Sequence, residues 1–146
     1  MRIAIVYTSV TGNTEEVAVT LHSMIGGDLI KVQSFDVGKL CQYDAVLVGT
    51  YTWGSGEIPV EMRRLYEAFE QQTVEHLVTG VFGTGDRCFA HFCGAVDRFR
   101  DMLAVHTNLA VTLKIEQRPQ PEDIAKCQKF VELVGQRGQE PCPAPK

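Results

Sequence analysis

Apolar positions along this chain take two forms in alternation: short unbroken runs, and longer stretches in which they recur at helical spacing. Unbroken runs are the mark of strands buried on both faces, and the stripes between them are the crossover helices that cover a parallel sheet. Ile3 to Tyr7 predicts a first strand. The helix after it carries Val17, Leu21, Met24 and Ile25 on one face and ends at Gly26-Gly27. Leu29 to Val32 predicts a weaker second strand and Ala45 to Gly49 a third. Ile58, Met62, Leu65 and Phe69 then mark the buried stripe of a second helix, with Pro59 suited to its first turn, where a missing N–H is no loss. Val78 to Gly83 contains a fourth strand, weakened at its start by Gly80. Phe92, Val96, Phe99 and Leu103 define a third helix, Asn108 to Ile115 a fifth strand, and Ile124, Cys127, Val131 and Val134 a last helix from about Pro121.

Five such alternations predict an α/β fold: a doubly wound five-stranded parallel sheet of order 2-1-3-4-5 with helices on both faces. A length of 146 residues allows one domain, expected over 1–138. The remaining 139–146, rich in proline, has too little to bury and is expected to fray.

Composition narrows the function classes. With 45% hydrophobic and 22% charged residues the chain reads as globular, and its net charge of -4 is opposite to what a nucleic-acid backbone attracts. No apolar stretch approaches a membrane span or a signal-peptide core. The expectation is therefore a cytoplasmic monomer with no nucleic-acid or membrane partner. Cys41, Cys88, Cys93, Cys127 and Cys142 are odd in number and lack a C-x-x-C pair, which suits a reducing compartment and argues against structural zinc. A phosphatase loop of the form C-x5-R is absent, since Gly94 stands six residues after Cys88 and Arg98 comes one position too early after Cys93.

In a sheet of this order ligands lie beyond the carboxyl ends of the strands, where strands 1 and 3 diverge. That rule selects three loops: Thr8 to Thr14, Thr50 to Pro59, and Gly83 to Cys93. The first, Thr8-Ser9-Val10-Thr11-Gly12-Asn13-Thr14, sets short hydroxyls and a glycine before a helix. Two readings stand: an anion nest for a phosphate, or an ordinary Thr11 or Asn13 N-cap with a following acid. No G-x-x-x-x-G-K-[ST] is present, which disfavours a magnesium-bound nucleoside triphosphate. The second loop, Thr50-Tyr51-Thr52-Trp53-Gly54-Ser55-Gly56, holds the single tryptophan, either as a stacking surface or as a lid over the core. The third offers Gly85, Asp86, Phe89, His91, Phe92 and Cys93, and neither of these two loops contains G-x-G-x-x-G.

A phosphate nest facing two glycine-rich loops, each with an aromatic residue, points to a flat π-system clamped at the sheet edge. This arrangement resembles the short-chain flavodoxins. Ser9-x-Thr11-Gly12-Asn13-Thr14 is similar to their phosphate loop, Thr52-Trp53-Gly54 to their inner stacking loop, and Gly85-Asp86 with Phe89-x-x-Phe92-Cys93-Gly94-Ala95-Val96-Asp97 to their outer one. The resemblance implies non-covalent flavin mononucleotide (FMN). Ser9, Thr11, Asn13 and Thr14 would take its phosphate, Trp53 and Phe89 would cover the ring faces, and main-chain groups near Asp86, His91 and Cys93 would read the pyrimidine edge. Thr8, Val10, Gly12, Thr50, Tyr51, Thr52, Gly54, Ser55, Gly85 and Phe92 complete the implied set. Two departures stand out: Phe89 where the family usually has Tyr, and Ser55 where an acid is frequent.

Cys88 and Cys93 read either as a redox pair or, with a flavin to carry electrons, as small packing residues, and His22, His76 and His106 as solvated or structural. Glu57, Asp86 and Asp97 either form an acidic rim or are simply solvated acids, Asp97 in particular belonging to the start of its helix. The resemblance implies a low-potential electron carrier between a flavoprotein reductase and an acceptor enzyme, with no substrate of its own. Rival readings are a flavoprotein activating the metal site of ribonucleotide reductase, and an NAD(P)H-dependent quinone or flavin reductase. A phosphoacceptor module is excluded, because Tyr7-Thr8-Ser9 and Thr50 stand where it needs acids.

Overall fold

A strand flanked on both sides by other strands and on both faces by helices can hold only side chains that tolerate complete burial. Ile3–Tyr7 (β1) meets that condition, with all five residues buried. It pairs in parallel with Asp28–Lys31 (β2) on one side and with Ala45–Tyr51 (β3) on the other. Val78–Gly85 (β4) follows β3, and Asn108–Glu116 (β5) completes a five-stranded sheet of order β2-β1-β3-β4-β5, all parallel. The computed structural model describes residues 1–53, 56–86 and 92–140.

Successive side chains of a strand point to opposite faces, which divides the core in two. Asn13–Ile25 (α1) and Asp123–Gln139 (α4) cover one face, packing Val17, Leu21, Phe130 and Val134 on Ile5, Leu47 and Phe82. Arg63–Gln71 (α2) and Gly94–His106 (α3) cover the other, packing Leu65, Phe69, Val96, Phe99 and Leu103 on Val6, Val46, Val48 and Val81. Gly80, which weakens the strand pattern, lies beneath α4: a Cβ there would meet the Phe130 ring at 2.7 Å.

Several boundaries differ from the pattern. β2 starts one residue earlier than expected and stops at Lys31, because Val32 turns into a 3-10 segment and tucks into the core. The helical stripe expected from Ile58 begins later: Pro59 is extended (φ -58, ψ 146), a 3-10 turn follows at Val60–Met62, and α2 starts only at Arg63. A proline disfavours helical backbone in the residue before it, so Ile58 packs on the core from outside the helix. Phe92 likewise precedes α3. Pairing also continues past the apolar runs, Thr50 opposite Gly83, Tyr51 opposite Thr84 and Gly85 opposite Glu116, because the ladder depends on backbone groups and not on side-chain polarity. The helix α4 reaches Gln139, and 141–146 lie outside the described residues.

Candidate functional site

β1, β3, β4 and β5 end at one edge of the sheet, and there the protein has a cavity of about 430 Å³. Its first wall is the β1–α1 loop, where Ser9, Val10, Thr11, Asn13 and Thr14 line the space. The N-cap of α1 is Gly12, in left-handed backbone (φ 91), and no side chain caps the helix. Thr11 and Asn13 therefore do not cap, and the ordinary-cap reading of this loop fails. Instead the Gly12 N–H donates to Ser9 Oγ at 3.1 Å, which folds the loop over the helix start. An uncapped first turn carries the positive end of the helix dipole and N–H donors suited to an anion. The two acids of this turn are occupied: Glu15 accepts from the Tyr7 hydroxyl at 2.8 Å, and Glu16 pairs with Arg118 at 3.3 Å.

Thr14 is buried and its hydroxyl shares a 2.8 Å hydrogen bond with that of Thr84 on β4. One proton lies between the two oxygens, so the pair retains one proton for a third acceptor. Thr8 does not reach the cavity wall: buried, it donates from Oγ1 to Glu61 Oε2 at 2.8 Å, while its N–H donates to the Gly49 carbonyl. Thr50 also stays out, its hydroxyl donating to the Tyr51 carbonyl at 2.7 Å.

The second wall is Tyr51 and Thr52. The Tyr51 hydroxyl donates to Glu61 Oε2 at 2.9 Å; burial first, then this bond and the carboxylate's charge, push its pKa up to about 12. Thr52 Oγ1 accepts from the Ala95 N–H at 3.2 Å. Trp53 and Glu57 exchange both backbone hydrogen bonds at 2.8 Å, closing a turn, and Gly54 and Ser55 between them lie outside the described residues. Trp53 is 61% exposed, so it is no lid over the core. The turn rests on α3, with Arg98 Nε donating to the Gly56 carbonyl at 3.0 Å.

Gly85, Asp86 and Cys93 form the third wall with Gln117. Gln117 has left-handed backbone (φ 51); its N–H donates to the Gly85 carbonyl at 2.7 Å and its amide to Asp86 Oδ2 at 3.2 Å. Cys93, the left-handed N-cap of α3, is buried against Gly85, a packing position. Phe92 is half-buried, its ring 6.0 Å from Lys114 Nζ, and does not line the cavity. Phe89, His91, Arg87 and Cys88 lie outside the described residues. Asp97 sits in the first turn of α3 and pairs with Lys114 and Arg100, each at 2.9 Å, so its charge is balanced within the fold. Cys41, Cys93 and Cys127 are thiols, not disulfides. Among the described residues no cluster of His, Cys, Asp and Glu could hold a metal ion.

Thr84, Gln117 and Glu61 were not marked by sequence reasoning. Thr84 falls within the third loop region, and Gln117 follows the last strand at the ligand edge. Glu61 lies behind the second loop with no local signal.

A doubly wound parallel sheet with a hydroxyl-lined cleft at its switch point is the architecture of a protein that binds a ligand beyond the carboxyl ends of its strands. Comparison with known proteins agrees. The flavodoxin family model matches residues 5–130, and the chain belongs to the flavodoxin family. It is 38% identical over 135 residues to probable flavodoxin 1 of Bacillus subtilis (strain 168), covering 86% of this chain and 85% of that protein. It is 35% identical over 130 residues to a flavodoxin of Maridesulfovibrio salexigens, covering 82% and 89%. The crystal structure of oxidised flavodoxin 2 from Bacillus cereus superposes with a TM-score of 0.87 at 32% identity, covering 94% and 99%. The chain is thus a flavin-binding electron carrier. Among the described residues no helix is long and apolar enough to cross a membrane.

Proposed function

We propose that the flavin is FMN and that the protein relays electrons from a flavoprotein reductase to an acceptor enzyme without turning over a substrate of its own. The observation that carries this reading is the wall formed by Ser9, Thr11, Asn13 and Thr14 at an uncapped helix start. Among the described residues the cavity lining contains no Lys or Arg, and hydroxyl, amide and backbone donors are there to hold a phosphate. Hydrogen bonds to a charged group contribute roughly 1.5–3 kcal/mol each, and several converging donors suffice without a cation.

When bound, the flavin supplies the one-electron chemistry, and this chain provides its seat. Ser9, Thr11 and the Thr14–Thr84 pair hold the phosphate. Tyr51 and Thr52 on one side, Gly85 and Cys93 on the other, narrow the space that receives the ring. Trp53, 61% exposed and outside the cavity lining, would cover a ring face once the flavin is bound, and its turn is held to α3 by Arg98 and Thr52.

The test is a relay assay. Loaded with FMN, the protein should carry electrons from an NADPH-dependent flavoprotein reductase to cytochrome c, in proportion to its concentration. Rapid oxidation of NADPH by the loaded protein alone, with a quinone as acceptor, would replace the carrier reading with that of a reductase.

A further inference from the structure

Glu61 lies in the 3-10 turn between β3 and α2, half-buried, and does not line the cavity. Its Oε2 nevertheless accepts two hydrogen bonds, from Thr8 Oγ1 at 2.8 Å and from the Tyr51 hydroxyl at 2.9 Å. Thr8 opens the loop that carries Ser9, Thr11 and Thr14. Tyr51 ends β3 and opens the turn that carries Trp53. The two sides of the cleft, 43 residues apart in sequence (Thr8 to Tyr51), thus share a single side-chain acceptor, in addition to the backbone pairing of β1 with β3.

The chemistry of the carboxylate suits that task. An ionised oxygen has lone pairs for both donors, and a carboxylate draws each hydroxyl more strongly than a neutral acceptor would. Burial pushes the Glu61 carboxyl up, but hydrogen bonds from its own backbone, Thr8 and Tyr51 outweigh this and hold it below its ordinary value of 4.5. Both donors are anchored from behind: the Thr8 N–H donates to the Gly49 carbonyl of β3, and Tyr51 is paired to β4 opposite Thr84. The linkage thus joins the ends of two strands that are themselves held by backbone pairing.

We propose that Glu61 is a positioning residue that sets the separation of the phosphate-side loop from the ring-side loop, so that the two halves of the site act on the ligand as one unit. The inference rests on the assignment of this cavity to FMN. Its signature is transmission: a change on the phosphate side is felt by a ligand that has no phosphate.

The experiment measures FMN and riboflavin binding to the apoprotein of the natural chain and of Thr8→Val, Glu61→Gln and Glu61→Leu, with thermal unfolding of each apoprotein alongside. Thr8→Val should weaken riboflavin by about the same factor as FMN, on the order of tenfold, the low end for one hydrogen bond to a charged group. Glu61→Leu, which removes both bonds, should weaken both ligands further, on the order of a hundredfold. Glu61→Gln keeps a carbonyl of the same reach and should restore most of the affinity for both. Should Glu61→Leu not fold, Thr8→Val decides. Riboflavin binding unchanged in Thr8→Val, with or without a loss of FMN, overturns the strut; so does Glu61→Gln losing as much as Glu61→Leu. Failure of the natural chain to bind FMN would refute the cofactor assignment itself, a result distinct from either.

Discussion

Gly94, the first residue of α3, stands directly on Gly56 of the tryptophan turn: a Cβ on Gly94 would lie 2.6 Å from Gly56 Cα and 3.0 Å from its carbonyl oxygen. The turn presenting Trp53 and the helix that ends the third loop are thus in backbone contact, and no larger residue fits between them. Gly94→Ala should displace the turn, with a cost of roughly 1–3 kcal/mol typical of overpacking. The expected outcome is a lower midpoint of thermal unfolding for the apoprotein and weaker binding of both FMN and riboflavin, measured by calorimetry. Unchanged affinities would show that the turn adapts freely.

Arg98 holds the same turn from another side through its bond to the Gly56 carbonyl. Arg98→Met should weaken flavin binding by about 1 kcal/mol, the typical net worth of one intramolecular hydrogen bond. Trp53 fluorescence in the apoprotein should shift as its turn loosens. Arg98→Lys retains the charge but not the planar Nε donor, so it should resemble the Met variant in Trp53 emission. Emission identical to the natural chain in both variants would leave this bond without a role.

Thr11 is exposed at the cavity wall, beside the uncapped start of α1. Thr11→Val should lower FMN affinity by roughly 1.5–3 kcal/mol, the worth of a hydrogen bond to a charged group, and riboflavin affinity little. Equal losses for the two ligands would place the phosphate elsewhere. The contrast with Thr8→Val, where both should weaken, separates a residue that touches the phosphate from one that positions the loop.

Tyr7 and Tyr51 predict the response to alkali. Burial, then hydrogen bonding to Glu15 and Glu61 respectively, pushes each hydroxyl from 10.0 up to about 12. A proton held more tightly in the folded state stabilises it, and that stability is complete below the unfolded value of 10.0 and lost as pH rises through about 12. Equilibrium unfolding should therefore show a decline in stability over that window, made shallower by Tyr51→Phe. Ultraviolet titration of the native protein showing both phenols ionised near their ordinary value would contradict it.

The architecture was legible because burial on both faces leaves a plain mark in Ile3 to Tyr7 and Ala45 to Val48, and five alternations allow few orders. Gly80 misled locally, since what it accommodates is Phe130, far along the chain. Strand ends were misjudged at Tyr51 and Gly85, where backbone pairing continues through residues whose side chains carry no periodicity. In the site, loop chemistry pointed to Ser9, Thr11 and Thr14 because a hydroxyl cluster before a helix is a local signal. Thr84, Gln117 and Glu61 were not legible for the opposite reason. Each owes its place to a partner brought near only by folding: Thr14, Asp86, and the Thr8–Tyr51 pair.

The most direct test of the account is titration of the apoprotein with FMN, following flavin and Trp53 fluorescence together. The cleft and its neutral donors predict one FMN bound per chain, with the emission of both fluorophores quenched and riboflavin bound more weakly. A chain that takes up no FMN, or that binds riboflavin as tightly as FMN, would contradict the assignment of the β1–α1 loop to the phosphate and with it the central claim.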